Sequence, residues 1–279
     1  MKRVTLPVAM AAVLAGCGTS APSPPPSAAP PPGVSVSLGQ WRSDEPVHRM
    51  QVAVRNATDT PVHFADVQLV TPSFRTLPPE RADATIKRTE RTDLPIPYGA
   101  ATCSPGGLPE VRPATVVANV RVGAEPPRRV VFPVPHPDPL LARLLRDECS
   151  EFLIKQAVSI EFGPDWNVGG KAMKGKLVIT RRGPGAVTVR NVGGTTHYIV
   201  TAERTPLAVL DAATQRLEAP VAITPGRCDP HAFAEAKKAF LFPVRAGIDG
   251  GEERVVIVTP PEPLRDRLLA YALEACGLG

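Results

Sequence analysis

Thr115-Val116-Val117-Ala118-Asn119-Val120-Arg121-Val122 decides the fold class. Val116, Ala118, Val120 and Val122 alternate with Thr115, Val117, Asn119 and Arg121. A period of two sends alternate side chains to opposite faces of a strand. Val130-Val131-Phe132-Pro133-Val134 repeats the pattern downstream, and Gln51-Val52-Ala53-Val54-Arg55 repeats it upstream. Clusters of Pro, Gly, Asn and Asp separate such runs at 56–61, 78–79, 124–127, 181–185 and 248–251. The 34 prolines confine many strand ends to edges and turns, because proline has no N–H for a ladder. The chain is therefore expected to be all-β.

The pattern occurs twice. Trp41 precedes Cys103 by 62 positions, and Trp166 precedes Cys228 by 62. A further cysteine follows after 46 residues, at Cys149, and after 48, at Cys276. Val36-Ser37-Leu38-Gly39-Gln40-Trp41 lines up with Ile160-Glu161-Phe162-Gly163-Pro164-Asp165-Trp166, with one residue inserted. Gln51 to Arg55 faces Lys176-Leu177-Val178-Ile179-Thr180, and Val130 to Val134 faces Val255-Val256-Ile257-Val258. Two units this long imply two complete domains rather than a solenoid. Their expected bounds are 34–153 and 154–279, each holding about seven short strands, the complement of an immunoglobulin-type β-sandwich. The matched tryptophans are both expected in the cores.

Each copy ends in a helical pattern. Asp138 can cap and Pro139 can open a helix with Leu140, Leu141, Leu144 and Leu145 on one side, ending at Cys149. Pro263 opens the second, with Leu264, Leu268, Leu269 and Leu273 before Cys276. Four cysteines in the body allow three pairings, and the duplication selects Cys103–Cys149 and Cys228–Cys276. No Cys-x-x-Cys or Cys-x-x-His spacing argues for zinc instead.

The first residues carry an address. Lys2 and Arg3 precede an apolar run, Val4 to Leu14, that is too short to span a bilayer. Leu14-Ala15-Gly16-Cys17 resembles the lipobox of bacterial lipoproteins. That resemblance implies a signal peptide over 1–16, removed before Cys17, and acylation (palmitate) of the Cys17 thiol, which would hold the protein to membrane lipid at the extracytoplasmic face. Residues 17–33 then form a lipidated start and a tether, stiffened by Pro24-Pro25-Pro26 and Pro30-Pro31-Pro32. With the lipobox, tether and both copies in view, the chain resembles tandem immunoglobulin-like lipoproteins of high-GC Gram-positive bacteria. It departs from antibody domains, since the cysteine pair ends after a helix and the Cys-Trp-Cys core pattern is absent. The resemblance transfers no functional residues.

Chemistry is sparse. The net charge of +5 is scattered, in short clusters without interleaved aromatics, which gives no basic stripe for nucleic acid. The five histidines are single and widely spaced, so no metal centre is expected. No Gly-x-Ser-x-Gly elbow appears, and no cofactor pattern is present. Cys228-Asp229-Pro230-His231 is the densest polar cluster, and copy one has Ser104-Pro105-Gly106 in that place. The expectation is a non-catalytic, membrane-anchored interaction protein of the cell envelope, facing an envelope protein or a wall polymer. The alternative is a small-molecule or metal binder, with a site near Asp229 and His231 or at the domain junction around Phe152 to Gln156.

Overall fold

The computed structural model describes residues 28–235 and 238–278. Cys17 and most of the expected tether lie outside the described residues. In the first half the strands are β1 (Val34–Gly39), β2 (Arg49–Asn56), β3 (Val62–Val70), β4 (Glu80–Ile86), β5 (Thr89–Pro97), β6 (Thr115–Val122) and β7 (Arg128–Pro133). They form two antiparallel sheets, β1-β2-β5 and β4-β3-β6-β7. Alternation sets their faces: Val116, Ala118 and Val120 of β6 are buried, and Val130 and Phe132 of β7 meet them in the core. This is an immunoglobulin-like sandwich. The fourth strand pairs with the third, whereas in constant-type domains it completes the other sheet.

The second half comprises β8 (Val158–Phe162), β9 (Asn167–Gly169), β10 (Ala172–Arg181), β11 (Val187–Val192), β12 (Tyr198–Ala202), β13 (Ala208–Leu210), β14 (Arg216–Pro225), β15 (Phe242–Ile248) and β16 (Arg254–Val258). Its sheets run β8-β10-β14-β12, with β9 beside β10, and β13-β11-β15-β16. The strand order of the first half thus recurs, with β8, β10 and β14 in the places of β1, β2 and β5. Register agrees as well. Val52 lies opposite Leu38 and Leu94, and Leu177 lies opposite Phe162 and Ala219. The edge strand β12 has only a single bridge, Phe74 to Ala101, as its equivalent. On β16 the sequence alignment slips by one. Val256 and Val258 face inward, in the places of Val130 and Phe132, and a one-residue shift exchanges the faces of a strand.

Helix α1 (Pro139–Ala157) starts where expected, with Asp138 Oδ1 accepting the Leu141 N–H at 2.9 Å. It does not stop at Cys149. No glycine or proline interrupts 150–157, and Ile154 and Ala157 are buried in the second core. Leu141, Leu144, Leu145 and Cys149 belong to the first core. The boundary between halves therefore falls inside one continuous helix that both sandwiches pack upon. Helix α3 (Glu262–Ala275) closes the second half, with Leu264, Leu268, Tyr271 and Ala272 buried.

The end of the expected tether also belongs to the fold. Ala28 pairs in parallel with Val130, donating to the Arg129 C=O at 2.9 Å and accepting from Val131 N–H at 3.1 Å. Pro31 is buried, and its C=O accepts the Val34 N–H. Residues 28–33 cover part of the β7 edge, which otherwise presents unpaired backbone groups.

Two disulfides form among the described residues, Cys103–Cys149 and Cys228–Cys276, with Cα–Cα distances of 5.2 Å in both. They place the folded chain in an oxidising, extracytoplasmic environment. No described helix is long and apolar enough to cross a membrane.

Candidate binding site

The matched tryptophans have opposite fates, and the difference creates the most distinctive surface of the protein. Trp166 is 1% exposed and packs against Phe162 in the second core. Its indole N–H donates to the Gly163 C=O at 2.9 Å. The ring lies directly over Gly175, where a Cβ would come within 2.2 Å of it. In the first half, the register places Met50 at the position of Gly175, and Met50 is fully buried. Its side chain fills the space an indole would need. Trp41 is accordingly outside the core, at 54% exposure, contrary to the sequence expectation.

Trp41 is nonetheless held. Its backbone N–H donates to Asp44 Oδ2 at 3.0 Å, and its C=O accepts the Asp44 N–H at 2.9 Å. The buried Asp44 carboxylate also accepts from Gln51 Nε2 at 2.9 Å. The indole N–H reaches Asp93 Oδ2 on β5 at 3.2 Å, and Asp93 Oδ1 accepts from Arg91 Nε at 2.8 Å. Asp93 alternates with the buried Leu94, so this assembly lies on the outer face of the β1-β2-β5 sheet. The segment between β1 and β2 folds back over that face.

The same loop ends in a second polar cluster. His48 has a left-handed backbone (φ 50°), and its ring stacks on Tyr98 with centroids 5.0 Å apart. Glu148, on α1 beside the disulfide, accepts the Ala101 N–H through Oε2 at 2.8 Å. Its Oε1 is buried without a hydrogen bond, 4.0 Å from His48 Nδ1. Arg143 Nη2 donates to Gln40 Oε1 at 2.9 Å, which ties α1 to the start of the loop. Burial raises the Glu148 carboxyl above its ordinary value, only partly offset by the Ala101 N–H and His48, and burial with the Glu148 charge raises the Tyr98 phenol. The corresponding positions in the second half are Met173, Ile223 and Ala275, so this cluster has no double.

A carboxyl whose folded value is raised contributes stability below its unfolded value and loses it as pH rises through the folded one. Glu148→Gln is therefore expected to stabilise the protein at pH 7, on the order of 1 kcal/mol, the scale of a buried unsatisfied group. The advantage should vanish at pH 4 or below, near the ordinary carboxylate range of about 4.3. Thermal unfolding at the two pH values checks this, and an advantage that persists unchanged at low pH would refute the burial account.

The sequence-derived pair lies elsewhere. Asp229 Oδ1 accepts the His231 N–H at 3.0 Å, its C=O accepts the Phe233 N–H at 3.2 Å, and Oδ2 accepts from Arg227 Nη2 at 3.1 Å. Asp229 thereby starts the short helix α2 (Pro230–Glu235), and Phe233 stacks on the buried His197 at 4.3 Å. The hydrogen bond from the His231 N–H to the Asp229 carboxylate closes a backbone turn, the ordinary work of a capping carboxylate. At the junction expected around 152–156, an open groove of about 410 Å³ runs between the β8 and β16 edges, lined by Ile154, Lys155, Glu161, Arg182 and Ile257. Lys155 pairs with Glu151 and Glu161 with Ser159. No group of three His, Cys, Asp or Glu residues that could hold a metal occurs among the described residues.

No family model matches the chain, and none of the curated proteins matches it. Among solved structures, red sea bream transglutaminase aligns at 10% identity and a TM-score of 0.25, over 82% of this chain and 32% of its own. A protein of unknown function from Porphyromonas gingivalis W83 aligns at 14% identity and 0.23, over 81% and 97%. The exo-chitosanase of Amycolatopsis orientalis aligns at 11% identity and 0.21, over 80% and 26%. The chain thus spans about a third of the transglutaminase and about a quarter of the chitosanase. At these scores neither fold detail nor function carries over.

Proposed function

We propose that this protein is a non-catalytic binding module of the cell envelope, anchored through an acylated Cys17 at the extracytoplasmic membrane face, and that it meets its partner with the outer β1-β2-β5 face of the first domain. The observation that carries the reading is Trp41: a large apolar ring held in solvent by hydrogen bonds to Asp44 and Asp93, where its counterpart is buried. Burying an exposed aromatic ring supplies a large contact area at little conformational cost, which is why tryptophan is enriched among residues that dominate binding. The lipobox pattern and the disulfides support the location. The groove between the β8 and β16 edges, lined by the end of α1 and by second-half residues, favours small-molecule binding as a second reading, although its Lys155 and Glu161 already have partners.

The test is co-sedimentation of the oxidised protein with envelope fragments, wild type against Trp41→Ala. The variant is expected to keep its folding stability to within about 0.5 kcal/mol, as exposed substitutions usually do. Its retention on the fragments is expected to fall at least about tenfold, the effect of losing roughly 1.4 kcal/mol of contact. Equal retention of the two proteins would remove Trp41 from the contact surface.

A further inference from the structure

We infer that the Trp41 face binds a glycan chain of uncharged hexopyranose units, with one sugar ring stacked on the indole; the inference rests on Trp41 being the contact surface. The polar edge of the indole is already engaged, since its N–H donates to Asp93 Oδ2. What remains for a ligand is the apolar ring surface, 54% exposed on the whole residue. A protein partner would want a continuous apolar patch around such an anchor, with charge depleted at its centre. The groups that contact the ring edge are polar instead, although Val47 in the same loop is exposed as well. Asp93 and Arg91 stand together at the ring edge, paired with each other, and Arg42 is exposed next in sequence.

A pyranose ring has the matching shape. One of its faces presents C–H groups, and its rim carries hydroxyls that both donate and accept. The indole takes the face. Asp93 can accept from the rim and Arg91 can donate to it. Because these two charges offset each other, the site holds no concentrated positive charge of the kind that would select an anionic polymer. The face also continues beyond one ring. Ser37 and Ser35 lie exposed on β1, about 6.8 Å apart, two residues of an antiparallel strand. Arg55 lies opposite Ser35 on β2 and is exposed, with its guanidinium paired to Glu90 at 2.8 Å. A row of hydroxyl and guanidinium groups on an open sheet face suits a chain rather than a single sugar.

The experiment titrates the folded, oxidised protein with β-1,4-linked hexamers of glucose and of N-acetylglucosamine and follows the two indole N–H resonances. The expected result is a saturable shift of the Trp41 signal with Kd on the order of 1 mM or tighter, while the buried Trp166 signal stays in place. Trp41→Ala should abolish the response of the backbone amides around Asp93, and Asp93→Ala should weaken it about tenfold or more, roughly 1.4 kcal/mol. The inference is overturned if neither hexamer moves the Trp41 resonance, or if Trp41→Ala binds as well as wild type. Should the hexamers fail while Trp41→Ala still loses retention on envelope fragments, the ligand class is wrong and the contact surface stands. Failure of both removes the surface too.

Discussion

Replacing Trp166 by alanine is expected to destabilise the protein by about 3–5 kcal/mol, whereas the same change at Trp41 costs about 0.5 kcal/mol or less. The matched sequence positions make this a controlled comparison. Trp166 fills a space in the second core bounded by Phe162 and by the bare backbone of Gly175, and its removal leaves a cavity that strands on both sides restrict from collapsing. It also loses the hydrogen bond from its indole to the Gly163 C=O. Gly175→Ala should reproduce part of the loss, about 1–3 kcal/mol, because the added Cβ would sit 2.2 Å from the ring and force it outward. Urea unfolding of the single variants measures all three changes. Equal costs at Trp41 and Trp166 would contradict the packing described above.

Removing the Cys103–Cys149 bridge with the Cys103→Ser, Cys149→Ser double variant is expected to cost about 4 kcal/mol. That is the chain-entropy value for a loop of 46 residues, within the range of about 2–5 observed for native bridges. The bridge closes a loop of similar length to its counterpart, which spans 48 residues. The surroundings differ. Cys149 is fully buried in the middle of α1, the helix that both cores share, while Cys228 is exposed and Cys276 caps the end of α3. Thiol–disulfide exchange requires access to a sulfur. Under mild reductant the Cys228–Cys276 bridge should open first, with Cys103–Cys149 following only as the protein unfolds. Timed alkylation and peptide mass analysis would show the order. Simultaneous opening in the native state would rule out protection by burial.

Some features of this fold were legible because they are local. The alternation in Thr115 to Val122 survives in β6, where Val116, Ala118 and Val120 are buried while Asn119 and Arg121 are exposed, although Val117 on the other face is buried as well. Asp138-Pro139 marked a helix start because the cap and the missing N–H act within one turn. Other features were not local. The helix end at Ala157 was not legible because Ile154 and Ala157 are buried in the second core, whereas the buried side chains of 141–149 belong to the first. The polar cluster of His48, Tyr98 and Glu148 joins three distant segments, and nothing in their spacing announces it. A signal for Trp41 did exist: the residue matched to Gly175 is Met50, and both could be read from the alignment of the halves. Its meaning required knowing that this position faces the indole.

The amino-acid order alone determined the all-β class and both cysteine pairings, because alternation and repeated spacing are written in short range or in the covalent chain. Only the tertiary structure decided which tryptophan is buried and which meets solvent. That choice is a competition for volume between side chains brought together across strands. Met50 occupies the first core, Gly175 vacates the second, and Asp44 and Asp93 hold the displaced ring in the water.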